Sequence, residues 1–415
     1  MSRASNTTVD PALDAAALLR RVGFFGLFVI IPVVAQVGRR ATVVLTPIAI
    51  VLLILASALD GRQRPLKPAI SALVRSPAFL AGSLVILWAA LSLAWTPFLG
   101  SAAERVLNLL ATILLTLSGY LALPDRMRSA NLYLLPLGVT AGGIVAVMIG
   151  LFGDALVRSG AEDDQILDRG LIMLALLVWP AIAWLRSRHR DREALVTALI
   201  VAAAIAASPK ATQIIALTIG AAAFLLTTVS PRIGVAVTAG ITAALLALAP
   251  LIPFVGRPIG ATLLGSGHPG VLSLKAWQKV VTSEPVRLVT GHGFETALRG
   301  RAYNLLPGNA PSTMLFELWY ELGIVGALAA AYALYISIHR IGRDAPALAP
   351  GAMAAIATAY TIACIGIGLA VMWWFTTLTV AILVFVSIQR GQFRSRRPKI
   401  SLLRRIREDR EAGAA

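Results

Sequence analysis

Acidic residues are scarce in this chain. Only 20 Asp and Glu stand against 37 Lys and Arg, and charged residues together fill 14% of the 415 positions. So little charge excludes an ordinary water-soluble domain, in which about a quarter of the residues are charged. Cysteine occurs once, as Cys364 within an apolar run. That rules out an intramolecular disulfide and a thiolate-held metal. The apolar segments lack polar–apolar alternation, which excludes a membrane β-barrel. No Gly-rich phosphate loop of the nucleotide-binding type is present. No small-residue cleavage site follows Arg20-Arg21 and the first apolar run. That run therefore reads as a permanent span rather than a signal peptide.

What the chain does have is apolar length. Hydrophobic residues make up 58% of it, and the mean hydropathy is +0.80. The apolar runs are about 17–25 residues long, enough to cross a hydrocarbon core of about 30 Å. The pattern predicts an all-α polytopic membrane protein with about twelve spans. They fall near 22–37, 41–60, 79–95, 105–122, 131–152, 170–185, 194–208, 213–229, 233–255, 319–338, 351–370 and 374–389. The chain divides accordingly into about nine helices over 1–255, a large loop over 256–318 and further spans over 319–390. A basic tail over 391–415 ends it and reads as a helix drawn to anionic lipid at the inner surface. No internal or inverted repeat is evident.

The net charge of +17 raises the question of nucleic acid, but the cations are not gathered on one patch. They sit in short loops between spans, as the positive-inside rule requires. With the N-terminus inside, 25 of the 37 basic residues fall on one face and 12 on the other. This predicts that both termini are cytoplasmic and that the long loop faces outward. Trp95, Trp319, Tyr320, Trp373 and Trp374 fall at outer span ends and Trp184 at an inner one, as an interfacial belt would.

Two outward segments carry polar chemistry. The shorter, 153–169, holds the acidic trio Glu162-Asp163-Asp164, which reads as a solvated loop, since a hard-cation site needs more oxygens in fixed geometry. It ends at Arg169, which opens an apolar helix and must either snorkel or hold a ligand. The longer loop should be irregular over 253–270, with His268 as plain loop. It should then form a surface helix over 272–283, with Ser273 as N-cap and Leu274, Trp277 and Val281 facing the headgroup zone. Next come Gly291-His-Gly-Phe-Glu295, a stretch with Arg299 and Arg301, and a last helix that Ser312 can cap. Arg169, Arg287, Arg299 and Arg301 form an outward cationic set, suited either to bidentate phosphate recognition or to lipid headgroups. His292 lies between glycines that let a substrate approach, and reads as an acid–base group or a structural turn. Glu295 is a second candidate base. Glu317 and Glu321, at i and i+4, read as orienting arginines.

Many spans followed by one outward loop, with Trp277, Gly291-His-Gly-Phe, Glu317 and Glu321-Leu-Gly-Ile-Val-Gly326 in order, resemble the O-antigen ligase and polymerase superfamily. That superfamily includes pilin-type oligosaccharyltransferases, and a chain of this length looks most like the ligases. The His-Asn pair usual before the Glu-Leu-Gly motif is replaced by Ser312-Thr313. The usual arginine before the tryptophan is replaced by Ser273, with Lys275 nearby. The resemblance implies an inverting glycosyltransferase that needs neither metal nor cofactor. Its donor would be polysaccharide on undecaprenyl pyrophosphate and its acceptor a hydroxyl of lipid A-core, at the outer face of a bacterial inner membrane. It further implies that Arg169, Arg287, Arg299 or Arg301 binds the pyrophosphate, while His292 or Glu295 orients or deprotonates the acceptor. No nucleic acid enters this reading. A polymerase or a protein oligosaccharyltransferase of the same superfamily, and outside it a lipid-linked oligosaccharide flippase or other transporter, remain the competing expectations. A flippase would place charge or broken helices at mid-membrane.

Overall fold

Every regular element among the described residues of the computed structural model is a helix. The structure describes residues 11–60, 70–71, 74–156, 161–208, 210–368 and 371–392. All but the first two residues of the expected tail lie outside these, as do Arg62, Arg64 and Lys67 of the first inner loop and Arg158. The chain runs through α1 (Pro11–Val34), α2 (Ala41–Leu59), α3 (Pro77–Leu91), α4 (Leu99–Ala122) and α5 (Leu134–Leu156). It continues through α6 (Ala161–Ser187), α7 (Asp191–Ala206), α8 (Ala211–Val229) and α9 (Pro231–Ala247). The loop region contains α10 (Ile252–Leu264), α11 (Pro269–Ser283) and α12 (Thr296–Ala302). Three helices close the fold: α13 (Met314–Asp344), α14 (Ala349–Ile365) and α15 (Met372–Gly391).

Nine of the described helices are long and apolar enough to cross a membrane, and a tenth counts if α9 and α10 form one bent span. The protein is therefore a polytopic helical membrane protein. Each apolar run read from the sequence falls on a helix. α7 with 16 residues and α14 with 17 are shorter than the usual crossing length, while α3 reaches 18 with the turn to Ala94 and α9, with 17, bends into α10.

α6 is the axis of the bundle. Its apolar window is 89% buried, against 17–56% in the other single candidate spans. A helix that is apolar on every face has no side to give to water and is enclosed. Around it α1, α2, α5, α7, α14 and α15 share one core, while α3, α4, α9, α11 and α13 share another that extends into the loop. The interfacial belt fits only in part, because Trp184, Trp319 and Trp374 are buried inside the protein. Trp184 instead meets Tyr133 edge-on and carries the Arg188 guanidinium over its ring at 4.4 Å.

The loop is more helical than its composition suggests. The expected irregular stretch 253–270 is largely α10, which turns 66° away from α9. Proline is tolerated in a first helical turn, so Pro253 does not prevent it. Pro258 lies inside, and Gly265 at φ 87° ends it. α11 starts at Pro269, earlier than expected, and its N-cap is His268, whose Nδ1 accepts from the Gly270 amide. Its apolar face does not meet headgroups. Trp277 is buried edge-on against Phe316 at 5.7 Å. The final loop helix joins a span across a kink at Gly323, the two together forming α13, and its N-cap is Thr313 rather than Ser312.

Candidate functional site

The Gly-His-Gly-Phe and Glu-Leu-Gly segments, about thirty residues apart, close on each other. α13 breaks at Gly323 (φ 62°, ψ −162°), a conformation open essentially to glycine alone. Breaking a helix frees carbonyls that must find donors elsewhere. Here the Tyr320 carbonyl accepts from the His292 amide at 2.8 Å and the Glu321 carbonyl from the Gly293 amide at 3.0 Å. The Leu322 carbonyl accepts from Trp88 Nε1 of α3 at 2.8 Å. Gly291 (φ 75°) has no room for a Cβ, which would run into the Glu321 carbonyl. The turn between α3 and α4 holds the other side: Ser92 Oγ accepts from the Phe294 amide, and Thr96 Oγ donates to its carbonyl.

Beneath this junction lies a buried ionic network that sequence reasoning missed. Arg105, nearly two turns into α4, is buried and donates to Glu295 Oε2 through Nη1, which also stands 3.8 Å from Glu321 Oε1. The guanidinium lies over the Phe294 ring at 4.8 Å. Glu295 has a left-handed backbone (φ 72°), uncommon for a residue with a side chain, and its Oε1 is 3.8 Å from Arg299 Nε. Glu321, fully buried, accepts from the Ala297 amide at 3.1 Å. One turn earlier on α13, Glu317 accepts from Arg301 Nη2 at 3.1 Å, and the same nitrogen donates to the Pro311 carbonyl. Glu317 and Glu321 thus each meet an arginine, as their spacing suggested. Three guanidinium groups thus lie against three carboxyl groups. Arg105 Nη2, Arg301 Nε and Glu321 Oε2 are buried without a hydrogen-bond partner among the described residues. The clue to Arg105 was available: like Arg169, it is a basic residue near the start of an apolar helix.

His292 faces away from this network. Its ring stacks on Tyr320 at 4.0 Å, Nδ1 lies 3.1 Å from the Tyr320 carbonyl and Nε2 lies 3.1 Å from Glu284. Both nitrogens face acceptors, and a neutral imidazole can donate to only one of them. His292, Glu284 and Tyr320 line an open cavity of about 460 Å³ together with Asn304–Gly308 and with Lys279 and Ser283 of α11. Below it a narrow apolar crevice, with Arg287 at its rim, is lined by Trp277, Phe316 and Trp319.

The sequence-predicted residues therefore divide. His292 and Arg287 border the cavity and its crevice. Glu295 is turned inward onto Arg105 and borders neither. Arg299 is half exposed beside it, and Arg301 is held against Glu317. Arg169 makes no direct contact with the loop. It sits over Trp373 at 5.2 Å and reaches the Arg39 carbonyl at 3.4 Å, while its neighbour Asp168 pairs with Lys210. The acidic trio 162–164 begins α6 rather than a loop. Among the described residues, no cluster of His, Cys, Asp and Glu has a metal-holding arrangement. No known protein family, curated protein or solved structure matches the chain.

Proposed function

We propose that this protein is a glycosyltransferase of the O-antigen ligase kind, acting on a lipid-linked saccharide at the outer face of a bacterial inner membrane. In this reading all twelve apolar segments contribute to the membrane domain and both termini are cytoplasmic. The loop caps the outer end. The observation that carries the reading is the interlock of Gly-His-Gly-Phe with Glu-Leu-Gly-Ile-Val-Gly beside a polar cavity that holds His292, Glu284 and Lys279. A flippase fits less well, because the central helix α6 is apolar through its buried length.

The donor is polysaccharide on undecaprenyl pyrophosphate and the acceptor a hydroxyl of lipid A-core. That hydroxyl attacks the anomeric carbon from the side opposite the pyrophosphate, and the configuration inverts. His292, in the cavity wall, takes or orients the acceptor proton, with Glu284 holding the ring. Arg287, which lines the crevice beside His292, meets the charge that grows on the leaving pyrophosphate, and Arg169 is assigned to the donor by the family resemblance alone. Glu295 and Arg301 hold the loop in place through their buried partners.

Deleting the gene and examining lipopolysaccharide on a gel tests this. Core without O-antigen, with undecaprenyl-linked polymer accumulating, is the expected result. Core bearing a single repeat unit would point to the polymerase instead, and substrate stranded on the cytoplasmic side to a flippase. At the residue level, His292→Ala and Arg169→Ala should each abolish transfer in a protein that still inserts. Full activity in either variant removes that residue from the mechanism.

A further inference from the structure

α10 presents apolar side chains to the outside along its whole length. Val255, Ile259 and Leu263 are 62%, 54% and 76% exposed, on successive turns of one face. This stripe does not begin in the loop. On α9 the outward positions are Ile233, Val237, Ile241 and Leu245, and all four are exposed. Leu248 and Leu251 carry the row round the 66° bend. Every step is three or four residues, so one unbroken face passes from α9, which packs against the candidate spans α8 and α13, onto the helix that follows it. Thirteen residues of helix reach about 20 Å, which is too short to cross a hydrocarbon core of about 30 Å.

The other face of α10 is already occupied. Gly256 and Gly260 let α11 lie close, next to Leu274 and Val271, and Arg257 Nη1 donates to Gln278 Oε1 at 2.9 Å. α11 in turn exposes Lys275 and Lys279, and Lys279 edges the polar cavity. The hairpin is thus layered: apolar α10 outermost, then α11, then cations and the cavity. The crevice under the cavity reaches Pro250 at the α9–α10 bend and shares His292, Glu284 and Tyr320 with the cavity.

We propose that α10 is an in-plane helix seated among the acyl chains of the leaflet on the loop side. Its occupant is lipid, because its exposed face continues without a break the exposed apolar face of α9, which lies beside the candidate spans α8 and α13. α11 then rides above it, with Lys275 and Lys279 at headgroup height, where cations meet anionic lipid. A ligand with a polar head and an apolar tail reaches the cavity from the bilayer, past the bend, rather than from water. This seating holds whatever chemistry the cavity performs.

Site-specific labelling of the full-length protein tests the seating. With Cys364→Ser as background, Leu263→Cys and Lys275→Cys each carry one fluorophore, in vesicles of phosphatidylcholine and phosphatidylglycerol with nitroxide-bearing acyl chains. Expected are several-fold stronger quenching at position 263 than at 275, and about tenfold slower reaction of the unlabelled Leu263→Cys thiol with a charged, water-soluble maleimide. Val255→Cys, read the same way, replaces Leu263→Cys if that variant inserts poorly. Equal reactivity at both sites with no quenching would put α10 in water and overturn the proposal. Efficient disulfide cross-linking between two Leu263→Cys chains without lipid quenching would also overturn it, since the face would then belong to a second copy.

Discussion

Arg105 shows what a single buried charge does in this protein. Its guanidinium lies within reach of two buried carboxylates, Glu295 and Glu321, that have little access to water. Removing one partner from a buried ion pair strands the other, which costs about 3–5 kcal/mol. Arg105→Ala should therefore lower the thermal unfolding temperature in detergent markedly. Arg105→Lys, which keeps the charge but loses the planar fork, should recover part of the loss. An Arg105→Ala protein as stable as the parent would mean the network is not a structural tie. The same residue scale explains Glu295. Its left-handed backbone is retained because its carboxylate is held by Arg105 and its carbonyl accepts from the Arg299 amide.

At the scale of the element, the break in α13 matters more than its length. Gly323 and Gly291 both have backbone angles that other residues reach only at a cost of about 1–3 kcal/mol. A methyl group at either would also strike the facing backbone: the Val289 carbonyl from Gly323, and the Glu321 carbonyl from Gly291. Gly323→Ala and Gly291→Ala should each separate the loop from α13 and reduce the yield of folded protein. Gly267→Ala, where a Cβ meets nothing within 4 Å, should leave it unchanged. Limited proteolysis of the three variants in membranes reads the difference. Loop cleavage no faster in Gly323→Ala than in Gly267→Ala would argue against the lock.

The whole molecule is ordered by its charge. Two-thirds of the basic residues fall on one face of the predicted topology, and such asymmetry sets orientation in the membrane. A fluorescent protein fused after Ala415 should fluoresce in the cytoplasm, and alkaline phosphatase inserted after Gly267 should be active outside. The reverse pair of results would invert the topology and place the cavity on the cytoplasmic side.

The class of the fold and the positions of the apolar segments were legible from the chain. They depend on local runs of residues, and a run of about 20 apolar residues has one economical solution in lipid. The pairing of Arg105 with Glu295, across 190 residues, was not legible. Neither was the insertion of His292 and Gly293 into the break of α13, nor the helical state of α10. The central place of α6 and the burial of Trp184 were hidden in the same way. Lipid tails are about as apolar as a leucine core, so an inward face and a lipid-facing one have the same composition. Only the packing of helix on helix distinguishes them, and that same packing decides which polar groups near the membrane surface meet and which stay apart.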